Sequence, residues 1–208
     1  MIDIFKKEID LSKVRCHSGG AAGSDTEWEE RGLARGVQVF AYSYKTKYHD
    51  SPRKVEISDE DYQEGVAMIS KANRTLGRYG ISKYMNLLAR NWAQVKYSSQ
   101  VFAIGSIVEP GKKGSRGFKN SSKLEAVDGG TGYAVQMAID AEKEVFVFDQ
   151  DRNAWHRWSY NSMKFVTMKE CPKITEQDFA GIGTREIRTN GIAAIEEVYE
   201  KTFGKGKD

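Results

Sequence analysis

The sequence predicts an α/β fold, a three-layer domain in which helices cover both faces of a mostly parallel sheet. Two observations predict it. Short apolar runs of strand length alternate with stretches whose apolar residues recur at helical spacing. Glycine-rich turns stand between strand and helix at three places, His17-Ser-Gly-Gly-Ala-Ala-Gly-Ser-Asp25, Val127-Asp-Gly-Gly-Thr-Gly-Tyr133 and Phe179-Ala-Gly-Ile-Gly-Thr-Arg-Glu186. In a parallel sheet such turns gather beyond the carboxyl ends of the strands, where ligands bind.

Taken in order, a strand is expected over residues 14–17. Ser24 then opens a helix over 25–35 with Glu27 at capping-box spacing, and Gly36 stops it. A second strand follows over 37–41. Residues 42–59 read as a long loop of the kind that covers a site. Helices are expected over 61–72 and 83–96, the second with Tyr84, Leu87, Leu88 and Trp92 as its apolar stripe. It also carries Asn86, Arg90 and Asn91. Arg90 stands four residues after Asn86 on one helical side, which is either a solvated polar face or a face turned to a ligand. A strand over 100–105 leads to a basic loop, 110–122, either a lid over phosphates or a plain surface loop. A short strand over 123–127, a helix over 133–141 and a strand over 144–148 come next. The segment Trp155-His-Arg-Trp-Ser-Tyr160 is expected to pair with 164–168 as an edge hairpin. Its Trp155 and Trp158 are either core residues or a platform for a base. The last unit is a strand over 179–182 and a helix over 191–202.

The 208 residues suit a single domain spanning 1–208, with 39% hydrophobic and 29% charged residues. Neither a long apolar run nor a signal peptide is present, so a cytoplasmic protein without membrane contact is expected. Cys16 and Cys171 are too few and too far apart for a disulfide framework or a zinc motif, and no metal is expected. Net charge is +3, and its excess lies in one loop, where Lys112, Lys113, Arg116, Lys119 and Lys123 face Glu109 alone. Phosphate-backbone binding needs a wider basic stripe, so nucleic acid is not the expected partner. Closed homo-oligomers, dimers above all, are common, and the aromatic residues suit a homodimer.

The three turns divide the chemistry of a composite site. Gly129, Gly130, Thr131, Gly132 and Tyr133 open a helix with no acid in its first turn, which suits a phosphate on free backbone N–H groups. The first turn, with Ser18, Gly19, Gly20, Gly23, Ser24 and Asp25, carries acids at its helix start. These repel phosphate and suit sugar hydroxyls, or simply stabilise the helix. In the third turn, Gly181, Gly183 and Thr184 lead to Arg185, a fork suited to phosphate or to a surface acid.

These three motifs resemble the SLOG superfamily, the Rossmann-like group that includes DprA/Smf proteins, the LOG phosphoribohydrolases and YpsA/YspA-type proteins. In many relatives the Ala-Gly-Ile-Gly-Ser/Thr-Arg stretch opens the domain. Here it comes last, so the order resembles a circularly permuted, YpsA-like subgroup. The resemblance implies a site for a nucleotide or a derivative such as ADP-ribose, used by a sensor or a sequestering protein, with no further cofactor. LOG enzymes carry Pro-Gly-Gly-x-Gly-Thr-x-x-Glu, and their catalytic glutamate falls here on Gln136. An amide is neither a general base nor a stabiliser of an oxocarbenium ion. Cleavage of an N-glycosidic bond would therefore need Asp25 or Glu186 as the carboxylate. DprA-like binding of single-stranded DNA through the basic loop is the third reading.

Overall fold

The computed structural model describes residues 9–49, 51–115 and 119–205. Its main sheet has eight strands, in the order β3-β2-β1-β10-β4-β7-β8-β9. These are β1 (Arg15–Ser18), β2 (Gln38–Ser43), β3 (Lys54–Glu56), β4 (Gln100–Gly105), β7 (Glu144–Asp149), β8 (Ala154–Ser159), β9 (Lys164–Thr167) and β10 (Asp178–Gly183). From β3 to β7 all neighbours run parallel, and β8 and β9 add an antiparallel edge hairpin. The helices are α1 (Ser24–Leu33), α2 (Asp59–Leu76), α3 (Met85–Lys96), α4 (Thr131–Asp140) and α5 (Thr189–Phe203). They cover both faces, so the chain is α/β with a mostly parallel sheet, consistent with a Rossmann-like fold.

Alternation along the strands builds two cores. Val101 and Ala103 of β4, Val145 and Val147 of β7, and Ala180 and Ile182 of β10 face α2, α3 and α4, where Ile69, Leu88, Val95 and Met137 meet them. The intervening Phe102, Ile104, Phe146, Phe148 and Phe179 face α1 and α5, against Trp28, Ile195, Val198 and Tyr199. Trp28 Nε1 donates to the Ile182 carbonyl at 3.3 Å, and the Tyr199 hydroxyl donates to the Trp28 carbonyl at 2.7 Å. Buried indole and phenol thus both find partners. On the opposite layer α2 and α3 approach backbone to backbone at Gly65, where a Cβ would lie 2.3 Å from the Ala89 carbonyl oxygen.

Several boundaries differ from expectation for local reasons. Ser24 is not an N-cap: Gly23 occupies that position, and the Ser24 hydroxyl instead donates to the Thr184 carbonyl at 2.7 Å. The stretch expected as one long loop contains β3, an exposed parallel edge strand whose polar residues hide its signal. Helix α2 starts earlier, at a cap where Ser58 accepts the Asp61 N–H at 3.0 Å, and runs on to the left-handed Gly77. The strand expected over 123–127 shortens to β6 (Ala126–Val127), which pairs antiparallel with β5 (Ile107–Val108) in a separate two-stranded sheet. The second turn therefore does not leave a strand of the main sheet. A hydrogen bond from Asp128 N–H to the Ser106 carbonyl at 3.0 Å nevertheless holds it beside the end of β4.

Candidate functional site

Backbone hydrogen bonds stitch the three turns together at the carboxyl edge of the sheet. Ser24 N–H donates to the Thr184 carbonyl at 3.1 Å, joining the first turn to the third. Thr184 N–H donates to Ile104 at 2.9 Å and Gln150 N–H to Gly105 at 2.9 Å, so the third turn and the end of β7 both close on the end of β4. A cavity of about 270 Å³ opens there, near the lower end of small-molecule sites at roughly 300 Å³.

Of the residues singled out in the sequence, Asp25, Arg90, Asn91, Gly129, Gly130, Thr131, Tyr133, Gly183, Thr184 and Arg185 line this cavity. The first turn contributes little else directly. Ser18 is buried and donates to Glu29 at 2.7 Å, and Gly20 donates its N–H to Ser18 at 3.2 Å. Gly23 packs on the Arg185 backbone, Gly132 on the Val127 carbonyl, and Gly181 on Trp28 in the opposite core. Gly19 matters in another way: a Cβ there would lie 1.4 Å from Arg90 Nη1, so its bare backbone leaves room for the guanidinium against the turn.

Other expectations are corrected. Asn86 is exposed and accepts from the Tyr62 hydroxyl at 2.7 Å, outside the cavity lining. Glu186 is exposed and does not line it either, so of the two carboxylate candidates only Asp25 reaches the cavity. Gln136 is buried on α4, donates to Asp140 at 2.9 Å and is likewise outside the lining. Trp155 and Trp158 are 5% and 3% exposed and belong to the two cores, so neither offers a face for a base. Arg116 of the basic loop lies outside the described residues. Residues 117 and 118 lie outside them too; Lys113 and Lys119 pair as an isolated antiparallel bridge, and Lys112, Lys113 and Gly114 line a different cavity beside Asp151 and Arg152.

The electrostatics of the buried end centre on Asp25 and Arg90, 6% and 5% exposed, with Oδ2 and Nη1 3.7 Å apart. Burial pushes the Asp25 carboxyl up to about 6. The Arg90 charge opposes that rise, as do the backbone N–H groups of Ala21 and Gly183. Burial lowers Arg90 in turn, and Asp25 restores part of it. Arg90 Nη1 also donates to Gln94 Oε1 at 3.3 Å.

At the other end Gly130 occupies the N-cap of α4, which has no capping side chain and no acid in its first turn. Arg78, overlooked in the sequence, anchors that turn. Its Nη1 and Nη2 donate to the Gly129 and Val127 carbonyls, each at 2.6 Å, and its guanidinium lies 5.5 Å from the Tyr133 ring centroid. Asn73 locks the corner, accepting the Tyr133 hydroxyl at 2.7 Å and the Arg78 N–H at 2.9 Å. Asp128 takes the Gly129 N–H at 2.8 Å on the turn's buried side. Ile81, Tyr84, Leu87 and Leu88 supply an apolar wall.

Gln94, Arg78 and this wall were the parts that the sequence hid. Gln94 follows Arg90 by four residues, so the ligand-side stripe of α3 runs through Leu87, Arg90, Asn91 and Gln94 rather than back to Asn86. Arg78 stands directly after the helix-stopping Gly77, a loop position with no periodicity to mark it. Among the described residues no group of histidine, cysteine, aspartate and glutamate is placed to hold a metal, and no helix is long and apolar enough to cross a membrane. In comparisons with known proteins, no family model, no curated protein and no solved structure matches the chain.

Proposed function

We propose that this cavity binds a nucleotide or nucleotide-derived ligand of ADP-ribose-like chemistry, and that the protein acts as a sensor or sequestering protein of a circularly permuted, SLOG-like kind. One observation carries the reading: three arginines, Arg78, Arg90 and Arg185, and the acid-free start of α4 converge on a cavity where, among the described residues, Asp25 is the one carboxylate. Backbone N–H groups at Gly130 and Thr131 would hold phosphate, with Arg185 pairing with it from the rim. The apolar wall at Ile81, Tyr84 and Leu87 would take the base, and Asp25 the sugar.

A thermal-shift panel of nucleotides, NAD, ADP-ribose and cyclic nucleotides, with native mass spectrometry of the fresh protein, tests it. The expected result is a stabilisation that grows with ligand concentration and is lost in Arg90→Met. If no ligand moves the melting temperature and none co-purifies, the reading is wrong.

A second reading has one observation in its favour. A buried carboxyl raised to about 6 in a ligand cavity has the character of a group that exchanges protons near neutrality, and Asp25 has it. Hydrolysis of an N-glycosidic bond would then release free base from nucleoside monophosphates, and Asp25→Asn would abolish that release.

A further inference from the structure

We propose that Gln94, with Asp25 and Arg90, forms a sugar-reading subsite that selects ligands bearing a vicinal diol, ribonucleotides over 2′-deoxyribonucleotides. The inference rests on the nucleotide reading above and concerns what that site discriminates.

Gln94 lines the cavity, is 2% exposed, and its Nε2 has no hydrogen-bond partner among the described residues. Arg90 fixes which end of the amide is which. Its Nη1 donates to Oε1 at 3.3 Å, and turning the amide over would set N–H against N–H. That orientation leaves Nε2 without a partner among the described residues. A buried amide donor without an acceptor is costly, and Gln94 is the one side chain with such a donor that also contributes to the cavity lining among the described residues, so a ligand oxygen brought against it would supply the missing acceptor.

Beside it Asp25 has acceptor capacity to spare. It takes a long bond from Ala21 N–H at 3.4 Å, with the Gly183 backbone also near, and Arg90 Nη1 is 3.7 Å away. The ligand group that fits must both donate and accept. A phosphate only accepts and would face the Asp25 charge. An ammonium only donates and would face Arg90. Two adjacent hydroxyls do both: each O–H donates to the carboxylate, and the oxygens accept from Gln94 and Arg90.

A base edge also donates and accepts, but a base needs flat apolar neighbours. The apolar side chains Tyr84 and Leu87 stand at the N-terminal end of α3. Gln94 lies two turns further on, about 10 Å along the axis.

Calorimetric titration of AMP, ADP and ADP-ribose against the 2′-deoxy forms of AMP and ADP tests the proposal. In the parent, the ribonucleotides should bind about tenfold to a hundredfold more tightly, since the deoxy analogue strands buried polar groups. Gln94→Met removes the donor, and Gln94→Glu replaces it while keeping an oxygen toward Arg90. In both variants, checked for folding by thermal melting, the preference should shrink to within about threefold as the donor is lost. Equal binding of ribo and deoxy forms by the parent, or an unchanged ratio in both folded variants, overturns the diol subsite and leaves the nucleotide reading standing. No binding of any nucleotide overturns both.

Discussion

Asp25 shows how one side chain is set between two opposed effects. Removal from water favours the neutral acid, and Arg90 beside it favours the anion; burial wins, at about 6. Only the anion offers all its lone pairs to hydroxyl donors, so affinity for a sugar follows its ionisation. Between pH 5 and pH 7 the ionised fraction rises about tenfold, and the dissociation constant for ADP-ribose is expected to fall by about the same factor. ADP-ribose is the suitable probe because its pyrophosphate diester does not titrate in that range. The dependence should be absent in Asp25→Asn, and a flat profile in the parent would show that Asp25 does not meet the ligand. Gly19 is the silent partner in this arrangement, since only its missing Cβ lets Arg90 lie where it can oppose the burial.

At the scale of elements, a helix start is a ligand site only if something aims it. Helix α4 has no capping side chain, and its turn is held by Arg78 from the end of α2 through two backbone carbonyls and the Tyr133 ring. Charge-assisted bonds of this kind contribute about 1.5–3 kcal/mol each when buried. Arg78→Met keeps the apolar stem and removes those bonds. It is expected to lower stability by about 2–4 kcal/mol in denaturant melts and to weaken phosphate-bearing ligands. Wild-type stability in that variant would mean that Tyr133 and Asn73 suffice to hold the turn. Strand β1 carries a comparable tie in the sheet itself. His17 is hydrogen-bonded to Tyr42 of β2 at 3.0 Å and to Asp178 of β10 at 2.8 Å, so one imidazole links three adjacent strands.

At the scale of the molecule, that imidazole couples stability to pH. Burial lowers the His17 pKa despite the pull of Asp178, while an unfolded histidine titrates near 6.5. A depressed folded pKa means that the unfolded chain binds more protons, so the contribution is whole above about 6.5 and is lost as pH falls below it. Asp25 acts oppositely: its raised pKa adds stability as pH falls through about 6. The informative measurement is therefore the difference between parent and His17→Gln in chemical denaturation at each pH. The parent's advantage is expected to shrink between pH 7 and pH 5, and a constant difference would show that His17 does not titrate with unfolding. Much of this architecture was legible in the sequence, because strand-period apolar runs such as residues 100–105 and 144–148 have no competing reading. The site was legible where it sits on glycine turns or on Arg90. It was not legible at Arg78 and Gln94, whose roles come from which loop and which helical stripe meet in space. Asn86 misled because four-residue spacing holds equally in both directions along a helix.

The place of β10 in the sheet has a consequence for how the chain is made. Among the described residues it is the last strand in the sequence, yet it lies between β1 and β4 and pairs with both. A ribosome releases β1 and β4 long before the strand that joins them exists. Until it emerges each therefore presents one bare hydrogen-bonding edge, the state in which strands recruit the wrong neighbours. β10 completes the pairing between β1 and β4, and it carries with it the third glycine turn that lines the cavity, so the same strand joins the sheet and supplies one wall of the site.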